Sequence, residues 1–325
     1  MSTPAKAPGL YGPVQEDIER VEETLRSLKR VEFPALARML DHVLGAGGKR
    51  IRPALALLAG KFDRYDLDLL VPLAASIELL HSATLVHDDV IDGAATRRGR
   101  ATANALFANA ATVMVGDYMF AHAAELVART GNIAVIRLFA QTLMSMATGE
   151  LRQDMSAYSY SQSTLDYFSR IGGKTASLFT TAARGGAMIA GVRDEWVEAL
   201  ASYGENLGMA FQVVDDILDF TGDESEMGKP VGSDLMQGTL TLPALILMDR
   251  HPRDNPVQKF LAGRQRAESL RLSIEMIRQS DILEESYRVA GDFRDRALAA
   301  LAPLPDSEPR DALMEIADWV LERRS

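Results

Sequence analysis

The sequence predicts an all-α protein, on three observations. Apolar residues recur at helical spacing: Leu313, Ile316, Ala317, Val320 and Leu321 follow the i, i+3, i+4, i+7, i+8 pattern of a core-facing stripe. Long segments rich in Ala, Leu and Met, at roughly 66–92, 101–130, 133–157 and 193–220, contain few helix breakers. Alternating apolar/polar runs of the kind that make half-buried strands are scarce. At 325 residues and 47% hydrophobic, the chain can fill a sizeable core. No Pro- or Gly-rich linker divides it, so one domain over 1–325 is expected, with about the first 12 residues as a flexible tail.

Along the chain, Pro53 sits where a helix can start, because its missing N–H is not needed in a first turn. Three Gly-rich stretches interrupt the helical texture, and all carry Lys or Arg: Gly45–Arg50 (GAGGKR), Gly93–Arg100 (GAATRRGR) and Thr221–Gly238 (TGDESEMGKPVGSDLMQG). The last is long for a connection in a compact domain, as functional loops often are. The N-terminal segment lacks the apolar core of a signal peptide. No run reaches the roughly 20 apolar residues of a membrane span, the apolar stretches being cut by Asp, Glu, His or Gly. The expectation is a cytoplasmic protein, with peripheral membrane contact left open.

Composition removes several classes of function. With no cysteine, there are no disulfides, thiolate zinc sites, iron–sulfur clusters or cysteine nucleophiles. The net charge of −10 disfavours nucleic acid, which needs a basic face to neutralise phosphates. It says nothing about a local basic pocket.

One motif occurs twice. Asp88-Asp89-Val90-Ile91-Asp92 and Asp215-Asp216-Ile217-Leu218-Asp219 both read DDxxD, each inside an apolar helical run. On a helix the first and last Asp stack on one face, with the middle one turned about 100° away. Like charges at i, i+4 cost a few tenths of a kcal/mol even when exposed, and far more when buried without a counter-charge. One such motif reads most simply as a solvated helix face. Two, both in apolar surroundings, point to cations. Mg²⁺ suits them, taking one or two carboxylates and completing its shell with water and substrate phosphate. An EF-hand fails, since neither motif alternates ligands in a loop with Gly at the sixth place.

The basic groups form a second constellation. Lys49, Arg50 and Arg52 lie in GGKRIRP, Arg97 and Arg98 just beyond the first acidic motif, Lys174 in GGKT, and Lys229 after the second motif. Each alone reads as a surface charge; beside the acids they read as clamps for an anion such as a diphosphate. Neither GGKR nor GGKT is a Walker A loop, there is no GxGxxG or GxSxG, and His81 and His87 lack zinc-protease spacing.

In order, GGKRIRP, LVHDDVIDGAATRRGRATAN, GGKTASLF, FQVVDDILD and GKPVGSDLMQGTLTLP resemble the motifs of the all-trans polyprenyl diphosphate synthases, from about residue 15 to the C-terminus. The resemblance implies one bundle of mostly antiparallel helices around a deep central cavity, usually a homodimer. It implies head-to-tail condensation of isopentenyl diphosphate onto an allylic diphosphate. Asp88, Asp92 and Asp215 would bind about three Mg²⁺ on the allylic diphosphate, with Asp89, Asp216 and Asp219 in the same clusters. Arg97, Lys174 and Lys229 would clamp that diphosphate; Lys49, Arg52, His81 and Arg98 would hold that of isopentenyl diphosphate. Thr175 and Gln212 would stabilise positive charge near the reacting carbons. Arg323 and Arg324 either fold back toward the isopentenyl site or remain solvated.

Two details bear on specificity. The last motif of the family usually reads DLxxGKxTLP, and Thr239 stands at its Lys position, which implies slightly weaker diphosphate binding. Ala83 and Thr84 lie one turn before Asp88, with Leu80 and Ile77 deeper; short-chain relatives block the tail there with a bulky aromatic. Small residues here imply a medium- or long-chain product of about C30–C50, with Met119 or Phe120 as candidates for a deeper floor. A geranylgeranyl or farnesyl synthase and a non-catalytic partner subunit are the alternatives.

Overall fold

The computed structural model describes residues 10–45, 47–97, 99–222 and 230–323. Helices dominate. In chain order they are α1 (Gln15–Ser27), α2 (Pro34–Leu44), α3 (Ile51–Gly60), α4 (Leu67–Ile91), α5 (Ala103–Leu106), α6 (Asn109–Ala128), α7 (Ile133–Ser156) and α8 (Thr164–Ile171). After a π-helical turn, Gly172–Ala176, come α9 (Ser177–Ala190), α10 (Asp194–Thr221), α11 (Ser233–Met236), α12 (Leu242–Arg250), α13 (Pro256–Leu261), α14 (Arg266–Arg278), α15 (Ile282–Ala300) and α16 (Glu308–Glu322). Among the described residues the only strands are β1 (Thr96–Arg97) and β2 (Arg100–Ala101), a two-residue antiparallel ladder at the end of the stretch GAATRRGR. The four long segments read from the sequence correspond to α4, α5 with α6, α7 and α10.

The described residues cluster into two compact units. The first takes in residues up to Gln141 with Leu178–Gly204 and Ala300–Ile316; the second takes in Thr142–Ser177, Glu205–Ala299 and the residues from Ala317. Neither is contiguous, and no linker marks a boundary, because the chain passes from one to the other inside α7, α9, α10, α15 and α16.

In the first unit, α4 packs along α6, α3 and α1. Every residue of α3 except Arg52 is buried, as are Leu70, Leu73, Ile77 and Leu80 of α4. Each such aliphatic side chain removed from water contributes about 1.5–3 kcal/mol. By length and composition α4 could cross a membrane, contrary to the sequence expectation, since its acids are confined to its ends and Glu78. Its most apolar window is 61% buried inside the protein, so it is a core helix here. Where α6 meets α4, Gly116 lies under the His87 ring: a Cβ there would come within 2.1 Å of Nε2. Leu10 and Tyr11 are buried, so packing begins slightly earlier than a 12-residue tail implies.

In the second unit, α14 packs on α13 and α12, and the Phe168 ring meets Phe293 edge-on at 5.6 Å. Tyr167 and Phe220 are fully buried.

Candidate active site

The first acidic motif closes α4. Asp88 and Asp89 occupy its last turn and Asp92 caps it, so three carboxylates crowd the end whose unpaired carbonyls already carry partial negative charge. Asp89 points inward, 6% exposed, and accepts a hydrogen bond from Arg97 Nε at 2.7 Å. Burial pushes its carboxyl above the usual range, with Arg97 opposing. Asp88 is half-buried and Asp92 exposed. Arg97, on β1, thus neutralises the one acid of the motif that water does not reach. Arg98 lies outside the described residues.

Lys49 and Arg52 flank Arg50, whose role the sequence did not separate from theirs. Arg50 adopts a left-handed backbone (φ 56°) at the N-cap of α3. Its guanidinium is sandwiched between Glu22 and Glu78, the latter at 2.5 Å, and Tyr11 donates its hydroxyl to the Lys49 carbonyl. Burial opposes the Arg50 charge, but Glu78 and Glu22 outweigh it and raise its pKa. Arg50 therefore anchors the junction between the loop that carries Lys49 and the first turn of α3, which carries Arg52. Arg52 stacks over the Phe179 ring at 4.4 Å, and Lys49 is exposed. His81 stands two turns before Asp88, on the same side of α4.

Of the proposed chain-length residues, Leu80 and Ala83 are fully buried, and Thr84 is half-buried with its hydroxyl donating to the His81 carbonyl at 2.8 Å. Phe120 does not lie deep. Its ring meets His87 edge-on at 5.2 Å, level with the acidic motif and about 15 Å along the helix from Ile77. Met119 is buried.

The second motif, near the carbonyl end of α10, distributes its acids differently. Asp215 is 52% exposed and faces Arg323 Nη1 at 3.3 Å. Asp216 is buried: Tyr167 donates its hydroxyl at 2.6 Å and Gln212 its amide at 2.8 Å. Burial, with the charges of Asp234 and Asp215, pushes the Asp216 carboxyl up to about 7 against these two hydrogen bonds. Asp219 is fully buried and accepts from Ser233 Oγ at 2.8 Å and the Asp234 N–H at 3.2 Å. It holds the described part of the loop after α10. Lys229 lies outside the described residues.

Lys174 and Thr175 occupy the π-helical turn, an element enriched at functional sites. The turn is approached by Gly149 of α7, where a Cβ would lie 2.9 Å from the Lys174 nitrogen. Lys174 pairs with Glu150 at 2.6 Å, and Thr175 donates to Gln212 Oε1 at 2.7 Å. Arg323, left open by the sequence, is buried. It lies over the Phe211 ring at 3.8 Å, donates to the Phe211 carbonyl at 2.5 Å, and its charge is disfavoured by burial. Arg324 lies outside the described residues. Two further residues escaped the sequence reading. Tyr167 looks like any aromatic on an amphipathic helix; buried Arg170 donates to the Leu240 carbonyl at 2.5 Å.

Among the described residues, no three His, Asp or Glu groups form a cluster that would enclose a metal on protein ligands alone. The outward acids Asp88, Asp92 and Asp215 are hard oxygen donors at helix carbonyl ends. Each motif by itself suits a cation such as Mg²⁺ that takes few protein ligands and fills its shell with water and phosphate.

Such a helical framework, with two acid motifs and a lysine on a π-turn, is that of a prenyltransferase, and comparison with known proteins gives the family. The polyprenyl synthetase family model matches residues 33–277. The chain is 38% identical over 321 residues to heptaprenyl diphosphate synthase component 2 of Geobacillus stearothermophilus, covering 98% of this chain and 99% of that protein. It is 37% identical to octaprenyl diphosphate synthase of Escherichia coli strain K12, covering 87% and 88%. The polyprenyl synthase of Caulobacter crescentus CB15, solved in complex with calcium and isoprenyl diphosphate, superposes with a TM-score of 0.93 at 35% identity over the whole of both chains. The chain belongs to the polyprenyl synthetase family and has its all-α isoprenoid-synthase fold; it is a polyprenyl diphosphate synthase.

Proposed function

We propose that the protein condenses isopentenyl diphosphate head-to-tail with an allylic diphosphate, using Mg²⁺, to make an all-trans product of about C30–C50 for a quinone side chain. The observation that carries this reading is the outward placement of Asp88, Asp92 and Asp215 at the carbonyl ends of two helices. Bound Mg²⁺, about three per site, would neutralise the departing diphosphate. Asp88, Asp92 and Asp215 would hold it, with Asp89, Asp216 and Asp219 supporting. Arg97, Lys174 and Lys229 grip the allylic diphosphate; Lys49, Arg52, His81 and Arg98 hold that of isopentenyl diphosphate. Arg97 and Lys174 exchange their carboxylate partners for phosphate oxygens. Thr175 and Gln212 turn oxygen atoms toward the developing cation. The proton lost as the new double bond forms goes to the diphosphate, so no side-chain base is needed.

Long-chain synthesis rests on the small residues Ala83 and Thr84 and on the names of the relatives. The whole chain acts as one domain, in the cytoplasm, as a homodimer, with peripheral membrane contact releasing the apolar product. Exposed apolar side chains on α6 (Met114, 71%) and α7 (Met155, 86%) support self-association. The "component 2" in the name of the Geobacillus relative favours a second reading, in which a different subunit is required. Incubating the purified chain alone with farnesyl and isopentenyl diphosphates and Mg²⁺, then sizing products by mass spectrometry, separates these. Products near C30–C50 are expected; a stop at C20 makes it a geranylgeranyl synthase, and no product from a dimeric chain favours the second reading. Replacing Ala83 by Tyr should shorten the product to about C15–C20, and an unchanged ladder of products would remove the tunnel assignment.

A further inference from the structure

We propose that Tyr167 and Asp216 are positioning residues that fix the side-chain amide of Gln212, so that it and Thr175 present only oxygen lone pairs to the reacting carbons. This rests on the reading above, in which Thr175 and Gln212 lie near those carbons.

Four side chains form one chain of hydrogen bonds. Tyr167 donates to Asp216 Oδ2 at 2.6 Å, Gln212 Nε2 donates to Asp216 Oδ1 at 2.8 Å, and Thr175 donates to Gln212 Oε1 at 2.7 Å. Gln212 and Asp216 are one helical turn apart on α10, and Tyr167 and Thr175 come from the continuous segment of α8 and the π-turn. The same two stretches are therefore joined at both ends of the chain of bonds. Tyr167, Asp216 and Thr175 are all buried, so water does not compete for these bonds.

A glutamine amide has a donor end and an acceptor end that fit almost the same space, and only its partners decide which end faces which way. Here the decision is made by the carboxylate. A reversed amide would set its oxygen against Asp216 Oδ1, acceptor against acceptor, with the desolvation of both uncompensated. It would also point N–H groups at Thr175, where the hydroxyl now donates. With the observed polarity, the only hydroxyl hydrogen of Thr175 is committed to Gln212, so its oxygen has only lone pairs left to offer. Lone pairs stabilise a developing carbocation, whereas N–H dipoles of opposite sense oppose it, and preorganised dipoles of this kind act strongly where water is excluded. Tyr167 completes the arrangement by holding the second carboxylate oxygen, which keeps the carboxylate plane from turning away from Gln212.

The test is a double-mutant cycle with Tyr167→Phe and Gln212→Ala, measured in single turnover and as kcat and KM for both substrates. Tyr167→Phe is expected to lower kcat about tenfold with both KM values within twofold, and to leave the Kd of an unreactive allylic thiolodiphosphate unchanged. Gln212→Ala should lower kcat at least as much, and adding Tyr167→Phe to it should change nothing further. Full kcat in Tyr167→Phe, or losses that multiply in the double variant, would overturn the assignment. If Tyr167→Phe does not fold, Gln212→Met serves instead, because it keeps the length of the side chain but has no amide to orient; unchanged kcat there overturns the proposal equally. Absence of any condensation by the wild-type chain would dispose of the reading in which it acts alone, a separate result from wild-type activity with an indifferent Tyr167→Phe.

Discussion

The two DDxxD motifs share a spelling and a position near the carbonyl end of a long helix, yet they expose different acids. In the first, the middle Asp89 is buried on Arg97, while Asp88 is half-buried and Asp92 exposed. In the second, Asp215 alone is exposed, while Asp216 is committed to Tyr167 and Gln212 and Asp219 to the loop at Ser233. A motif that recurs in sequence has thus been divided between cation-facing and architectural work in two different ways. What decides is the phase of the motif relative to the core. Turning the helix so that its buried face carries Val86 and Asp89 exposes the outer pair; turning it onto Val213, Ile217 and Phe220 buries the last Asp.

Paired substitutions break or sharpen this contrast. Asp88→Asn and Asp215→Asn should each lower kcat by about a thousandfold, as expected when charge stabilisation of a leaving group is lost. Their stabilities should part. Asp215→Asn strips buried Arg323 of its counter-charge and should cost about 1 kcal/mol, the pair being half-open to water, or about 2 °C in Tm. Asp88→Asn relieves repulsion at a helix carbonyl end and should leave Tm unchanged or raised. Equal Tm losses by calorimetry would refute the contrast.

Asp219→Ala should act on the fold first. It leaves the Ser233 hydroxyl and the Asp234 N–H without their acceptor, a cost of about 2 kcal/mol. Proteolysis after Thr221 should accelerate; resistance equal to wild type would mean that Asp219 is not what holds the loop. A smaller change is expected at Thr239, whose N–H bonds to the Asp234 carbonyl at 2.9 Å. Thr239→Lys restores the usual cation of the family and should lower the Michaelis constants about threefold; unchanged constants for both substrates would show that the site does not need it.

The smallest effect concerns the helix that delivers Tyr167. Ser163 and Asp166 form a capping box at its start, and the Ser163 hydroxyl and N–H hold the Asp166 carboxyl below its ordinary value of 3.8. A depressed carboxylate contributes stability above its unfolded pKa and loses it as the pH falls through the folded one. Asp166→Asn should therefore be slightly less stable than wild type at pH 7 and indistinguishable from it well below pH 3.8. A difference that persisted in acid would assign the effect to packing.

Much of this arrangement was legible in the sequence. Helix spans followed from breakers and periodicity, and the acids and bases of the site stood out because clustered charge in an apolar run demands a partner. The division of labour within each motif did not. With apolar residues on both sides of Asp215–Asp219, periodicity alone does not say which Asp faces inward. Tyr167 lies 49 residues from Asp216 and Arg323 lies 108 from Asp215, so neither pairing leaves a local mark. Arg50 was hidden among its neighbours in GGKRIRP, since a left-handed backbone at an arginine has no signature in composition.

The π-turn at Gly172–Ala176 has a practical consequence for anyone placing probes or charge swaps on this stretch. A π-turn inserts the equivalent of one extra residue, so the side-chain directions after it are rotated by about 100° relative to an uninterrupted helix. A single helical wheel drawn through Thr164–Ala190 therefore misplaces the positions after the turn by about 100°. Two wheels, one ending at Ile171 and one starting at Ser177, restore the map, and a library designed on the single wheel would place its intended surface changes in the core.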